Sequence, residues 1–214
     1  MAGDRASDVV RTAIGVFCRQ GYAGASVQDI ANALGMPKAT LYHYISSKED
    51  LLSKIFTLAS DDVEVLTTET AKLDVPPVAR LRLFISGYVY LTTVELERTI
   101  IYSREWRYLT GALRTAVIER RVMLDEFLTG LIDAVKEAGE AAADLDSKRA
   151  AYFIWGAVSS LPDWYRRSGP DAPQQIAWNY AMLALKIVLP SATALPERPD
   201  EETELATLNA LIHR

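Results

Sequence analysis

The stretch from Ser26 to Lys54, SVQDIANALGMPKATLYHYISSKEDLLSK, leaves this chain the fewest choices of fold. Val27, Ile30, Ala31 and Leu34 fall at i, i+3, i+4 and i+7, one apolar stripe of a short helix. Ser26 stands just ahead of it, where a side-chain oxygen caps free backbone N–H groups, and Asp29 lies three residues on. Gly35 follows the last apolar residue, where a left-handed backbone costs glycine nothing. Pro37 suits the first turn of a second helix, about Pro37 to Tyr44, because no backbone donor is needed there. Ser46 with Glu49, and Ser47 with Asp50, form two overlapping capping boxes that open a longer helix. Helix, glycine turn, helix is the helix-turn-helix arrangement.

The second helix carries an unusual load. Leu41 points to the core, while Lys38, Thr40, Tyr42, His43 and Tyr44 are donors, acceptors or aromatics with little reason to be buried together. A short helix with such a face and few acids suits a major groove. Lys38, Thr40 and His43 are the candidate base-edge readers, and Gln28 on the preceding helix is carried as a further DNA contact. Tyr42 and Lys48 are candidate phosphate contacts, Lys48 because it sits beside the free N–H groups of a helix start. Tyr44 is carried as a DNA contact, although a packing role at the helix end suits it as well.

Charge is distributed to match. The whole chain carries −5, yet residues 1–54 carry +1, so the remainder holds −6. An acidic body with a less acidic head fits a protein that touches DNA at one end only. The single Cys18 leaves no internal disulfide and reads as a small core hydrophobe in a reducing, cytoplasmic setting. The longest apolar run, around Ala150 to Pro162, is too short to span a bilayer, so no membrane partner is expected.

Taken in order, about Ser7 to Gln20 reads as a first helix ended by Gly21, its face Val10, Ala13, Ile14 and Phe17 covering the reader. A fourth helix runs from about 47 to 73 and links head to body as a lever, until Pro76-Pro77 breaks it. Everything beyond reads helical: 78–93, a shorter segment around 100–109, a long helix to Gly139, then segments at about 147–166 and 173–189. The last of these has two apolar stripes. Small residues at Ala177, Ala181 and Ala184, with Leu185 and Val188, mark the side expected to meet a second copy of the chain. Three prolines at 190, 196 and 199 flag a linker before an amphipathic helix over Asp200 to Ile212.

Catalytic chemistry is not evident. The two histidines are His43 and His213, and no HExxH, CxxC, GxSxG or phosphate-cradling glycine loop occurs, so no metal and no cofactor is expected. The surplus of aromatics in the body permits an apolar ligand cavity. Tyr88, Tyr102, Trp106, Trp155, Trp164 and Tyr165 are its candidates, with Arg104 beside Trp106 as a cationic anchor. Arg107, Arg166 and Arg167 also lie next to these aromatics, a combination suited to a ligand with one apolar and one anionic part.

The string FCRQGYAGASVQDIANALGMPKATLYHYISSKEDLL resembles the DNA-binding segment of the TetR/AcrR regulators, through Phe17, Gly21, Tyr22, Ile30, Ala31, Gly35, Leu41, Tyr42, Tyr44, Lys48 and Leu51. REWRYL at 104–109 and WGAVSSLPDWYRRSGP at 155–170 add a second resemblance, to the TetR-type regulators of steroid and fatty-acid breakdown that answer to acyl-CoA thioesters. The resemblance implies an all-α chain with a helix-turn-helix DNA-binding domain over 1–54 and an effector-binding, dimerising bundle over 55–214. It implies a homodimeric repressor on an inverted-repeat operator, released by a hydrophobic or acyl-CoA effector. The rivals are a helical small-molecule binder or enzyme that ignores DNA and, among regulators, a multidrug-type sensor controlling efflux.

Overall fold

The computed structural model describes residues 2–191 and 193–212; His213 lies outside the described residues. Among the described residues the chain forms eleven α-helices and one short 3-10 turn, with no strand, and none of the helices is long and apolar enough to cross a membrane. The chain divides into two compact units, one of residues 1–61 and 95–118, the other of 62–94 and 119–214.

The first unit holds α1 (Ala2–Gly24), α2 (Val27–Ala33), α3 (Lys38–Leu41) and the start of α4 (Lys48–Lys72). It also takes in α6 (Leu96–Arg104), a 3-10 turn at Trp106–Tyr108 and the start of α7 (Gly111–Glu137). The short helices at the front of the chain share one core: Phe17 from α1, Ile30 from α2, Leu41 from α3, and Leu51 and Phe56 from α4. Ile101, Leu109 and Val117 join that core from the later segment, supplying apolar area that such short helices lack on their own. The sequence reading stops the head at residue 54 because this second contribution comes after an intervening helix. α1 also continues past its expected end, through a break at Gly21 with φ 72° and ψ 155°.

The second unit is built on α5 (Pro77–Val94), buried along nearly its whole length from Leu81 to Thr93. α10 (Pro173–Val188) runs against α5, and α8 (Ser147–Ser159), α9 (Leu161–Trp164) and α11 (Glu201–Ile212) complete the packing with the rest of α4 and α7. A helix apolar on all sides must be covered on all sides, which is why α5 is central. Gly87 marks the tightest approach: a Cβ there would lie 2.6 Å from Leu66 Cδ1 of α4 and 3.6 Å from Leu211 Cδ1 of α11. Phe84 is fully buried, and truncating it to alanine is expected to cost about 3–5 kcal/mol. α11, the helix expected over 200–212, buries Leu208, Leu211 and Ile212 and is anchored by an Arg198–Glu204 ion pair at 2.8 Å.

Candidate nucleic-acid interface and effector cleft

Local chemistry sets the reader. Ser26 accepts from Asp29 N–H at 3.2 Å while Asp29 accepts from Ser26 N–H at 2.8 Å, a complete capping box on α2. A hydrogen bond from the Ser26 hydroxyl, together with the Ser26 N–H, holds the Asp29 carboxyl below the usual range. Gly35 at φ 64° closes α2: its N–H donates to Asn32 O, and Met36 N–H reaches back to Ala31 O at 3.1 Å. This reciprocal pair satisfies the carbonyls at the helix end and aims α3 away from α2. α3 itself is only four residues long, but i→i+3 turns, His43 to Thr40 and Tyr44 to Leu41, carry the helical path to Tyr44.

Of the expected DNA contacts, Gln28, Lys38, Tyr42 and His43 are exposed and Thr40 is half-buried beside them. Gln28 donates to Asn32 Oδ1 at 2.8 Å, which orders its amide on the surface of α2. Tyr44 is half-buried against the head core, and its carbonyl accepts from Lys54 Nζ at 3.0 Å. The geometry therefore favours its packing role.

Lys48 is tied inward. Its ammonium donates to Tyr22 O and Ala25 O, both at 2.9 Å, and lies 4.3 Å from the centre of the Tyr22 ring. At the start of α4, Ser47 Oγ accepts from Asp50 N–H and Asp50 accepts from Ser46 N–H at 2.9 Å. Glu49, expected to pair with Ser46, instead accepts from the Tyr22 hydroxyl at 3.2 Å. Burial, with Glu49 alongside, pushes the Tyr22 phenol up to about 12. Tyr22 also meets Phe17 and Tyr108, ring centres 5.3 and 5.1 Å away, and Glu105 Oε1 accepts its backbone N–H at 3.3 Å. Nothing in the local spacing of Tyr22 signals the contacts from residues 105 and 108.

The effector candidates fall into different units. Tyr102, Arg104 and Trp106 belong to the first, where Tyr102 stacks on Phe56 at 4.8 Å and Trp106 packs on the head core with Arg114 5.2 Å from its ring. Tyr88 and Trp155 meet in the second unit, centroids 4.8 Å apart, and line an apolar cleft with Phe84 and Ile85 of α5, Leu128 of α7, and Ile154 and Val158 of α8. The cleft spans about 180 Å³ including its mouth, but its walls are closed up so that no interior gap admits a water molecule. The indole N–H of Trp155 is buried there without a hydrogen-bond partner. Phe84, Ile85, Leu128, Ile154 and Val158 are not among the candidates that the sequence singles out, because nothing in their spacing separates a cleft wall from core. Tyr165 is buried and Trp164 is exposed, stacked on Tyr180 at 6.4 Å. The neighbouring cations are engaged with backbone: Arg166 donates to Asp163 O and Tyr165 O, Arg167 to Val94 O, and Arg107 to Arg104 O.

The residues assigned to the dimer seam need correction. Ala177, Ala181, Ala184, Leu185 and Val188 are each at most 2% exposed in the single chain. The three alanines allow the close run of α10 along α5, and none of the five presents surface to a second copy. The exposed apolar side chains lie elsewhere on the same segments: Phe153 at 67% and Tyr152 on α8, Trp164 on α9, and Leu183 at 57% on α10.

Comparison with known proteins agrees with this geometry. The family model for bacterial regulatory proteins of the tetR family matches residues 9–55, and that for tetracyclin repressor-like C-terminal domains matches 74–188. The transcriptional repressor KstR2 of Mycobacterium tuberculosis is 25% identical over 188 residues, covering 85% of this chain and 91% of KstR2. The solved structure of that ketosteroid regulator shares the fold, with a TM-score of 0.83 at 21% identity over 87% of this chain and 95% of the other. The fatty acid metabolism regulator protein of Bacillus subtilis is 25% identical over 150 residues, 70% of this chain and 77% of its own. AibR, solved with isovaleryl coenzyme A and operator DNA, is 29% identical at a TM-score of 0.73, covering 84% of this chain and 97% of AibR. The capped, glycine-turned reader and these matches over both parts of the molecule lead to one conclusion: the chain belongs to the TetR family of DNA-binding transcriptional regulators.

Proposed function

We propose that the protein is a homodimeric cytoplasmic repressor that leaves an inverted-repeat operator when an acyl-CoA thioester binds its body. The observation that carries the DNA half is the exposed donor face of α3 and the turn after it, Lys38, Tyr42 and His43, mounted on a buried core. Lys38, Thr40, His43 and Gln28 read base edges; Tyr42 and the remaining N–H of Lys48 meet phosphate. Two such heads need a separation of about 34–36 Å, or a multiple, to enter major grooves on one face of DNA. The seam between copies uses the exposed Phe153, Trp164 and Leu183. The relatives' regulatory roles support a regulator over an enzyme.

The effector half rests on the apolar walls around Tyr88 and Trp155, and is supported by AibR, whose solved complex contains isovaleryl coenzyme A. An acyl chain that parts α5, α7 and α8 binds a different state of the body from the closed one. Where DNA favours the closed state, a ligand preferring the parted one weakens DNA binding by the same factor by which DNA weakens the ligand. Each buried methylene contributes about 0.8 kcal/mol, close to fourfold in affinity, until the cleft is filled. The test is operator release titrated with free CoA, short, long and steroid-derived acyl-CoAs, and uncharged hydrophobic drugs. Release that climbs with acyl length, with free CoA inert, is the expected result. Release by the drugs with no response to any thioester overturns the acyl-CoA assignment in favour of a multidrug-type sensor.

A further inference from the structure

We propose that Glu105 and Tyr108 are positioning residues for DNA binding: they latch Tyr22, and through Tyr22 the Lys48 grip at the start of α4. The contacts converge on one side chain. Glu105 Oε1 accepts the Tyr22 backbone N–H at 3.3 Å, immediately after the Gly21 break in α1. Tyr108 covers one part of the Tyr22 ring at 5.1 Å, while Phe17 packs on it edge-on. Tyr22 in turn gives its carbonyl to Lys48 at 2.9 Å, its ring face to the same ammonium at 4.3 Å, and its hydroxyl to Glu49 at 3.2 Å.

A carboxylate that accepts a backbone N–H adds charge assistance to the bond, and at 3.3 Å this is a long contact that the packing of Tyr108 and Phe17 on the same side chain supports. It joins residues 83 positions apart, so it is not a by-product of local helix geometry. The bond fixes the peptide at which α1 breaks, and that peptide leads directly into the turn carrying Lys48's two carbonyl partners. Loosening Glu105 therefore frees the Tyr22 and Ala25 carbonyls together, and the ammonium that they aim loses its direction.

The latch also has a reason to respond to the body. Residues 95–118 lie in the chain between α5, which supplies Phe84 and Tyr88 to the cleft, and the later part of α7, which supplies Leu128. The chain gives a displacement of those helices a covalent route into the 104–109 turn. This second half rests on the effector reading above; the first half does not.

The experiment compares full-length wild type, Glu105→Ala and Glu105→Gln on an operator selected from random duplexes by the wild-type chain. Affinity is measured without effector and with isovaleryl-CoA, and the thermal midpoint of each protein is recorded. Glu105→Ala is expected to weaken operator binding about tenfold and to shrink the further loss caused by isovaleryl-CoA; Glu105→Gln, which keeps an acceptor oxygen, restores both. Wild-type affinity in Glu105→Ala overturns the latch. Equal impairment of both variants with an equal fall in thermal midpoint also overturns it, because that pattern marks a purely structural carboxylate. If isovaleryl-CoA fails to release wild type, the effector assignment falls with the coupling half, and the effector-free affinities still decide the latch.

Discussion

Lys48 has three N–H donors, and the fold claims two of them. Lys48→Ala therefore removes a tie within the head as well as a charge at the DNA. It is expected to destabilise the head by about 1–3 kcal/mol, seen in thermal unfolding, as well as to lower the salt slope of binding by about one unit on every duplex tested. A loss confined to the specific operator would contradict the phosphate role. Tyr22 sets a pH dependence. Its phenol, ordinarily near 10, is raised to about 12 in the folded head, so the neutral form is favoured by folding. That contribution is fully present below about pH 10 and fades as pH rises through about 12. Phenolate absorbance and helicity recorded across this window should change less in Tyr22→Phe than in wild type. The charge, aromatic character and position of Lys48 and Tyr22 were legible in the sequence. Their mutual geometry was not, because it depends on carbonyls placed by the Gly21 break and on a carboxylate from a distant turn.

At the scale of elements, α2 could be read almost residue by residue, since an apolar stripe, a capping serine and a terminal glycine each have one local physical meaning. α3 was harder. Four helical residues offer little periodicity, and only the turn bonds after Leu41 show how Tyr42 and His43 are presented. Substituting Lys38, Thr40 or His43 is expected to shift base preference by about 1–3 kcal/mol for each good contact, measured on operators varied one base pair at a time. Uniform weakening on all of them would assign the residue to the backbone instead. α10 was legible as a helix with two apolar stripes, but composition does not say which stripe meets α5. The small residues belonged to the close internal contact, and the larger Leu183 remained outside.

For the whole molecule, the proline break at 76–77 lies inside the second unit rather than between the units, whereas the all-helical architecture followed from the absence of alternating stretches. The return of residues 95–118 to the head did not, since tertiary partnership leaves no trace in local spacing. Assembly is tested by a contrast between two surfaces of the same helix pair. Phe153→Glu with Leu183→Glu is expected to give a helical monomer by sedimentation that no longer holds the operator, because the charges fall on exposed apolar positions. Ala181→Asp, placed in a fully buried site, should instead unfold the second unit, since an unpaired buried carboxylate has no compensating partner. Dimers persisting in the double variant would move the seam to another face.

α11 has a practical consequence for anyone cutting the chain. Leu208, Leu211 and Ile212 lie buried, Tyr90 of α5 donates to Asn209 at 3.3 Å, and Leu211 shares the narrow gap at Gly87. A protein truncated after Val188 would bare that strip of α5 to water and to neighbouring molecules. It should bind a hydrophobic dye and clump during purification, even with its DNA-reading end intact. α11 thus works as a built-in solubility shield, and residues 201–212 are the wrong place to trim.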